Sequence, residues 1–252
     1  MTYPILAGAE PFSAPGTNGD AVLVVHGFTG SPGSVRRWAQ AFAGAGYAVE
    51  LPLLPGHGTD ISDMLPTRWS GWCQAAEAAY LELAGRSRRM LVAGLSMGGA
   101  LTVWLAARHP EISGVIVVNP IIDPPADSFR DVLRGVRDAG ESVVPGIGSD
   151  IADPNEHELS YAGTPVEPAL SLFEGLDALA GDLASIRCPV LLFTSRNDHV
   201  VPPVSSDVLA GAVSGPVERV FLDRSYHVAT MDYDRADIEA RSLEFAAKVL
   251  AG

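Results

Sequence analysis

The segment Gly94-Leu95-Ser96-Met97-Gly98 constrains the fold of this chain more than any other. It follows an apolar run at residues 90–93, typical of a buried strand, and precedes a helical pattern of apolar residues at 100–107. A Gly-x-Ser-x-Gly sequence in this setting is typical of a sharp turn that presents the serine hydroxyl at a helix N-terminus. There the free backbone N–H groups and the helix dipole favour negative charge. The segment therefore predicts a nucleophilic serine and half of an oxyanion-binding site.

Predicted strands and helices alternate along most of the chain. Continuous β-branched runs without polar alternation indicate strands that are buried on both faces. Helical connections between such strands imply right-handed crossovers and a mostly parallel sheet. Together with the Ser96 turn, this predicts an α/β-hydrolase fold in which helices flank the sheet. The predicted strands are residues 21–25, 47–51, 90–93, 114–118, 189–194 and 217–222, and the predicted helices are 35–45, 69–83, 96–108 and 237–250.

Two segments depart from this alternation. Residues 1–20 are rich in turn-forming residues and are predicted to be an irregular lead-in. Residues 121–185 are rich in Pro, Gly and Asp, show no buried strand and carry short helical apolar patterns. We interpret this second segment as a small, mostly helical cap inserted over the active site. Residues 1–120 and 186–252 then form the hydrolase core.

The predicted nucleophile needs a base, and the base needs an acid to orient it. In this fold both follow the serine along the chain, with the acid before the histidine. His227 lies between the last predicted strand and the closing helix, where the fold places its base. Asp198 follows the preceding strand and is predicted to accept the second N–H of His227. Asp123 and Asp232 are weaker candidates for the acid.

An oxyanion hole needs two backbone N–H groups aimed at the developing negative oxygen. One is predicted at Met97, directly after the nucleophile, and the other at Phe28, in the loop after the first sheet strand. His26 precedes that loop and is predicted to brace it. His57 and His199 are likewise predicted to be structural.

Charge and composition exclude several classes of partner. The formal net charge of −13 disfavours phosphate backbones and anionic headgroups, so no nucleic-acid partner is expected. Neither Cys73 nor Cys188 has the spacing of a metal ligand, and no metal or cofactor is expected. No apolar run approaches the roughly 18–20 residues of a membrane span. The N-terminal residues lack the features of a signal peptide, which favours a cytoplasmic location.

Five segments distributed along the chain carry a narrower signal. They are His-Gly-Phe-Thr-Gly-Ser-Pro at 26–32, Pro-Gly-His-Gly at 55–58, Gly-Leu-Ser-Met-Gly-Gly at 94–99, Asn-Asp-His-Val-Val-Pro at 197–202 and Ser-Tyr-His-Val-Ala-Thr at 225–230. These segments resemble bacterial monoacylglycerol lipases and their carboxylesterase relatives. The resemblance implies a catalytic triad of Ser96, Asp198 and His227. It also implies that Phe28 and Met97 supply the oxyanion N–H groups.

The same resemblance bears on the cap. In the family, apolar cap residues form an acyl tunnel, and a narrow polar end receives glycerol. Glu-Leu-Ser-Tyr at 158–161 resembles a Glu-Leu-x-Tyr segment of the family. The resemblance therefore implies that Glu158 binds the glycerol hydroxyls, because an ionised carboxylate accepts the hydrogen bonds that hydroxyl groups donate. A solvent-exposed helical glutamate is the alternative for this residue. The resemblance also implies that Ile147 lines the path of the acyl chain.

The sequence thus predicts a serine hydrolase that cleaves monoacylglycerols to fatty acid and glycerol through an acyl-enzyme on Ser96. A general carboxylesterase without glycerol selectivity is the alternative among enzymes. A binding module with the same fold is a further alternative, which an intact set of three catalytic residues disfavours. A dehalogenase with an aspartate nucleophile is excluded because serine occupies that position. The expected partner is a small lipid ester, with transient contact between the cap and lipid aggregates.

Overall fold

The computed structural model of the chain describes residues 3–251 and places a mixed sheet between helices. The strands are β1 (Phe12–Ala14), β2 (Ala21–Val25), β3 (Ala48–Leu51), β4 (Met90–Leu95), β5 (Gly114–Val118), β6 (Val143–Pro145), β7 (Gly163–Pro165), β8 (Val190–Ser195) and β9 (Val217–Leu222). The α-helices are α1 (Arg36–Gly44), α2 (Ile61–Met64), α3 (Trp69–Ala84), α4 (Met97–Arg108), α5 (Asp127–Asp138), α6 (Val166–Ala180), α7 (Val204–Ala212) and α8 (Arg235–Val249).

Seven strands form the main sheet, in the order β1-β3-β2-β4-β5-β8-β9. Neighbouring strands from β3 to β9 are parallel, and β1 joins β3 antiparallel. Parallel neighbours need long crossover connections, and the helices that make them cover both faces of the sheet. The predicted mostly parallel sheet flanked by helices is therefore confirmed.

Alternate side chains of the central strands enter two separate apolar layers. In β2, Val22 and Val24 pack in the layer that includes residues of α1 and α8. Leu23 and Val25 point to the opposite face, toward α3 and α4. All five residues of this strand are fully buried. Complete burial of a valine or leucine side chain stabilises the fold by about 1.5–3 kcal/mol. Burial on both faces explains why the strand is apolar without alternation.

The prediction of an irregular lead-in is wrong for residues 12–14. These residues form β1, which pairs with β3 through the partners Phe12 with Leu51 and Ala14 with Val49. The Ser13 hydroxyl also donates a hydrogen bond of 2.7 Å to Glu50 Oε1. A three-residue strand is too short to show a period of two in the sequence. The exposed edge of β3 selects this pairing, and it is available only once the sheet has formed.

The segment at 121–185 contains α5, α6 and a two-stranded antiparallel sheet of β6 and β7. Arg130 of α5 pairs with Asp177 of α6, with N–O distances of 2.5 and 3.0 Å. Helix α6 lies close to α3, since a Cβ placed on Gly175 would lie 2.3 Å from Cδ1 of Trp69. The segment is therefore anchored to the rest of the chain by its second helix.

Loops at one edge of the main sheet carry the predicted site residues. Ser96 follows β4, Asp198 follows β8 and His227 follows β9. Because these strands are parallel, their carboxyl ends lie at the same edge, where ligands bind in open α/β sheets. The topology thus brings Ser96 to the same edge as Asp198 and His227, which lie more than a hundred positions further along the chain.

Candidate active site

Ser96 occupies the sharp turn between β4 and α4, with φ 57° and ψ −118°. A Cβ on Gly94 would lie 2.1 Å from the carbonyl oxygen of Gly98, and a Cβ on Gly98 would lie 2.1 Å from the carbonyl oxygen of Val25. Neither position can hold a larger residue without displacing backbone. A positive φ at a residue other than glycine stores strain, a common feature of active sites. The packing around the turn thus fixes Ser96 at the start of α4.

Asp198 and His227 form a buried hydrogen-bonded pair. His227 Nδ1 lies 2.8 Å from Asp198 Oδ2, and the two side chains are 8% and 2% exposed. The other carboxylate oxygen, Oδ1, accepts the N–H groups of Val200 and Val201 at 2.8 and 2.7 Å. With Nδ1–H directed at the carboxylate, Nε2 of His227 is the nitrogen left to accept a proton. Ser96 lines the same cavity as His227, although no hydrogen bond joins the two side chains among residues 3–251.

The charge of His227 is favoured by its surroundings. Burial by itself would lower the pKa of His227, but the nearby carboxylates outweigh it and the pKa is raised. The largest of these favourable effects comes from Asp198, with smaller ones from Glu158 and Asp150. A site that stabilises an imidazolium is suited to a base that takes up a proton during the reaction.

Neither of the two weaker acid candidates hydrogen-bonds the ring of His227 among the described residues. Asp123 is exposed, and its backbone N–H donates to Ser205 Oγ at 3.1 Å. Asp232 is buried and accepts the N–H groups of four residues. These donors are Ala152, Asp153, Tyr226 and Tyr233. Asp198 is therefore the candidate acid whose carboxylate contacts the ring of His227.

Phe28 and Met97 lie on the two elements that meet at Ser96. A Cβ on Gly27 would lie 3.4 Å from Cβ of Ser96, so the loop after β2 runs directly beside the serine. Met97 is the first residue of α4, and its N–H has no acceptor within the helix. The residue as a whole is buried, at the point where the turn at Ser96 enters the helix.

His26 and His57 brace the loop that carries Phe28. Their rings meet edge to face, with centroids 4.9 Å apart, and the ring of Phe28 lies 6.4 Å from that of His57. His26 Nε2 accepts the N–H of Leu54 at 3.1 Å. Burial lowers the pKa of His26 to about 3 and that of His57 to about 4. Both imidazoles are therefore neutral near pH 7, and neither lines the cavity.

A cavity of about 490 Å³ opens over Ser96 and His227. Its wall from the 121–185 segment is largely apolar, and the exposed side chain of Ile147 lies at its rim with 65% of its surface accessible. The apolar lining includes Phe129, Val132, Leu133, Val136, Leu172 and Phe173. The polar side chains in the lining include Asp150, Glu158 and Tyr161. An apolar cavity with a few convergent polar groups is typical of a small-molecule site.

Glu158 is buried at the cavity that His227 also lines, with 9% of its surface exposed. A Cβ on Gly30 would lie 2.7 Å from Oε1 of Glu158, so glycine at that position leaves room for the carboxylate. Burial raises the pKa of Glu158 to about 7, although the charge of His227 acts in the opposite direction. The alternative of a solvent-exposed glutamate is therefore wrong for this residue. Sequence alone could not show the burial, because it arises from loops distant along the chain.

The raised pKa predicts a pH-dependent stability difference between the wild type and Glu158→Gln. The carboxyl of Glu158 holds its proton more tightly in the folded chain than in the unfolded chain, where its pKa is near the ordinary value of 4.5. The ionisation of Glu158 thus lowers stability progressively as the pH rises from about 4.5 to about 7. We expect Glu158→Gln to match the wild type at pH 4.5 and to exceed it at pH 8.5, by up to about 3 kcal/mol.

Urea unfolding at both pH values measures this difference. Glu82→Gln, at an exposed position, is the control and should show no gain at pH 8.5. An equal stability difference at both pH values would contradict the prediction.

Sequence reasoning missed Asn119, which joins three of the site loops. Its Nδ2 donates to the carbonyl oxygen of His227 at 2.8 Å, and its Oδ1 accepts the N–H of Ser195 at 2.7 Å. Its backbone has φ 45°, a conformation that asparagine tolerates better than most residues. The available signal was its position directly after β5, at the edge where the site forms. Asp150, also missed, gives no comparable sequence signal.

Within residues 3–251, no group of three or more His, Cys, Asp or Glu side chains is arranged to hold a metal ion. Burial raises the pKa of the thiols of Cys73 and Cys188, to about 12 and about 11. Both thiols therefore stay protonated near neutral pH and are poor nucleophiles. In this part of the chain, none of the helices combines the length and apolar character that crossing a bilayer requires.

Comparison with known proteins places this chain among hydrolases. Residues 17–234 match the model of the Hydrolase_4 family, described as serine aminopeptidase, S33. The chain is 46% identical over 250 residues to a thermostable monoacylglycerol lipase of Bacillus sp. (strain H-257). The alignment covers 98% of this chain and 97% of that protein. It is 25% identical over 244 residues to a carboxylesterase of Bacillus subtilis (strain 168), in an alignment that covers 95% of this chain and 97% of the relative.

Solved structures agree with these sequence relatives. A structure from work on the metagenome-derived lipolytic enzymes LipS and LipT superposes with a TM-score of 0.92 at 40% identity, covering 97% of this chain and all of that one. The monoacylglycerol lipase of Paleococcus ferrophilus superposes with a TM-score of 0.78 at 19% identity, covering 95% of this chain and 97% of that one. At that identity the second likeness concerns the fold alone.

Proposed function

Because this chain belongs to the Hydrolase_4 (serine aminopeptidase, S33) family of hydrolases, we propose that it cleaves monoacylglycerols to a fatty acid and glycerol. The similarity to a monoacylglycerol lipase along nearly the whole chain supports an ester as the substrate. The observation that carries the proposal is the hydrogen-bonded pair of His227 and Asp198 beside Ser96, at one apolar cavity.

In the proposed mechanism, Ser96 Oγ attacks the ester carbonyl while Nε2 of His227 takes its proton. Asp198 holds His227 in the tautomer with a free Nε2 and stabilises the imidazolium that forms. The tetrahedral intermediate collapses when His227 gives the proton to the departing glycerol oxygen, which leaves an acyl-enzyme on Ser96. A water molecule, deprotonated by His227, then attacks the acyl carbon. The fatty acid is released when this second tetrahedral intermediate collapses and His227 returns the proton to Ser96 Oγ.

The negative oxygen of each tetrahedral intermediate needs preorganised donors. We assign this role to the backbone N–H groups of Phe28 and Met97. The loop after β2 and the first turn of α4 adjoin Ser96, which supports the assignment. The dipole of α4 adds a positive partial charge at the same place.

The cavity offers separate surroundings for the two halves of a monoacylglycerol. We treat residues 121–185 as a cap, whose apolar side chains would bind the acyl chain, with Ile147 on its path. Glu158 would accept hydrogen bonds from the glycerol hydroxyls, since it is a buried carboxylate on the same cavity as Ser96. Phe129, Val132 and Ile147 are exposed at the cavity, and we propose that they make transient contact with lipid aggregates.

The test of this function is the hydrolysis of two matched substrates, 1-decanoylglycerol and methyl decanoate, together with the di- and triacylglycerols of the same acid. We expect kcat/KM for the monoacylglycerol to exceed that for the methyl ester by about tenfold or more, because hydrogen bonds to a charged acceptor are worth about 1.5–3 kcal/mol. Equal values for the two esters would instead identify a general carboxylesterase.

A change at Glu158 should affect one of these two substrates selectively. In Glu158→Gln the side chain keeps its shape but loses the charge and one acceptor oxygen. At pH 8.5, where wild-type Glu158 is ionised, we expect kcat/KM for the monoacylglycerol to fall about tenfold, and that for the methyl ester to change less than about twofold. The measurement is a pair of steady-state assays at that pH.

Glu156→Gln is the matched control, because Glu156 lies two positions away and pairs with Arg37 and Arg235 rather than with the cavity. It should leave the ratio of the two substrates unchanged. An equal loss on both substrates in Glu158→Gln would refute a glycerol-specific role and leave the esterase mechanism intact.

A further inference from the structure

Asp150 lies between β6 and β7 and contacts both of the loops that carry the acid and the base. Its Oδ2 accepts the backbone N–H of His227 at 3.0 Å and that of His199 at 3.1 Å. Its Oδ1 lies 2.8 Å from Nδ1 of His199. Its carbonyl oxygen accepts the N–H of Val228 at 3.1 Å. One residue of the 121–185 segment therefore holds the backbone of the base and of the residue next to the acid.

The surroundings of Asp150 indicate a fixed geometry. Its side chain is only 10% exposed and lines the cavity, whereas His199 is 57% exposed. The ring of His199 packs edge to face on Tyr226, with centroids 4.5 Å apart, and Tyr226 precedes the base. Ser149, the preceding residue, accepts the N–H of Glu158 on its Oγ at 3.1 Å. The contacts of these neighbours link the segment to the base loop and to the proposed glycerol site.

Building on the proposed function, we propose that Asp150 is a positioning residue that holds His227 in line between Asp198 and Ser96. Its carboxylate fixes the separation of the acid and base loops, so that the position of the 121–185 segment is part of the productive geometry. Asp150 does not touch the reacting atoms; it acts through the backbone of His227. A displacement of about 1 Å of a catalytic group can lower a rate about a hundredfold.

A second consequence concerns charge. The titratable groups around His227 are Asp198 on the β8 loop, Glu158 and Asp150 on the 121–185 segment, His199 beside the acid and Asp232 beside the base loop. Asp150 contributes negative charge that favours the protonated base. Its removal should therefore shift the acid limb of kcat/KM, which reports the base in the free enzyme, to lower pH.

The test compares Asp150→Asn with Asp153→Asn, using methyl decanoate so that the glycerol site is not involved. Asp153 lies on the same segment, and its side chain caps a local turn at Asn155. Both variants lose one negative charge. We expect Asp150→Asn to lower kcat about tenfold with KM changed less than about twofold, and to move the acid limb down by about half a pH unit. Asp153→Asn should match the wild type in both measurements.

Glu158 also faces His227 and titrates near pH 7, so the acid limb is measured in a Glu158→Gln background as well. In that background too, we expect Asp150→Asn to move the acid limb of kcat/KM to lower pH. His199→Phe provides a second variant, because this exposed side chain can change without threatening the fold. It removes one anchor of the Asp150 carboxylate and should lower kcat about two- to fivefold at an unchanged melting temperature.

The inference would be overturned if Asp150→Asn had the same kcat and the same acid limb as Asp153→Asn. It would also be overturned if Asp150→Asn changed KM alone. If Asp150→Asn does not fold, His199→Phe decides: a lowered kcat supports the inference, and a wild-type kcat overturns it. Failure of the proposed function is distinct from these outcomes, because it would appear as equal wild-type kcat/KM values for the monoacylglycerol and the methyl ester, whereas the Asp150 comparison uses the methyl ester alone.

Discussion

Replacement of Ser96 by alanine is expected to lower kcat for ester hydrolysis by about 10⁴- to 10⁶-fold. The variant keeps the cavity and the oxyanion donors but has no group that can form the acyl-enzyme. Ser96 makes no side-chain cap to α4, so the fold should be retained. The measurements are steady-state hydrolysis of a medium-chain monoacylglycerol and thermal unfolding of the same preparation.

Ser96→Gly is an informative companion to this variant. Ser96 has φ 57°, which glycine adopts without strain, so relief of that strain should raise the melting temperature while activity stays absent. Activity within about tenfold of the wild type in Ser96→Ala would place the nucleophile elsewhere. It would also remove the basis for the acyl-enzyme mechanism.

Asp198→Asn is expected to lower kcat about 10³- to 10⁴-fold. Asp198 accepts two backbone N–H groups on Oδ1 and faces His227 Nδ1 with Oδ2. An asparagine has a single oxygen, which the N–H groups of Val200 and Val201 would retain. Its NH₂ group would then point at Nδ1 of His227 and favour the tautomer with the proton on Nε2. That tautomer cannot accept the proton of Ser96.

Asp123→Asn is the matched control for this change, since Asp123 was the main alternative for the acid and is exposed away from His227. It should hydrolyse esters at the wild-type rate. A proton resonance from the hydrogen bond between His227 and Asp198 should be present in Asp123→Asn and absent in Asp198→Asn. A loss of kcat smaller than about tenfold in Asp198→Asn would argue against its role as the orienting acid.

The main sheet was predictable because its strands are marked by local sequence. The strand at 21–25 is a continuous apolar run, and the structure buries all five of its residues. Gly94 and Gly98 mark the turn at Ser96, since each lies against backbone that leaves no space for a Cβ. In contrast, β1, β6 and β7 have three residues each, which is too few for a recognisable period. Their partners, rather than their own residues, determine that they are strands.

The roles of individual polar residues divide in the same way. His227 could be proposed from its position between the last strand and the closing helix, because chain order in this fold is constant. Asp150 and Asn119 could not, because their importance depends on contacts with loops that are more than forty residues away. Sequence distance gives no indication of such contacts until the strands are ordered in the sheet.

The sequence by itself determined the parallel sheet, the turn that presents Ser96 and the order in which the other candidate residues follow. These features depend on local patterns of apolar residues and on glycines that no other residue can replace. The tertiary structure alone decided that Glu158 is buried with a pKa of about 7, and that Asp150 joins the two loops. The physical reason is that hydrogen bonding and desolvation depend on which side chains meet in space, and segments distant along the chain bring them together.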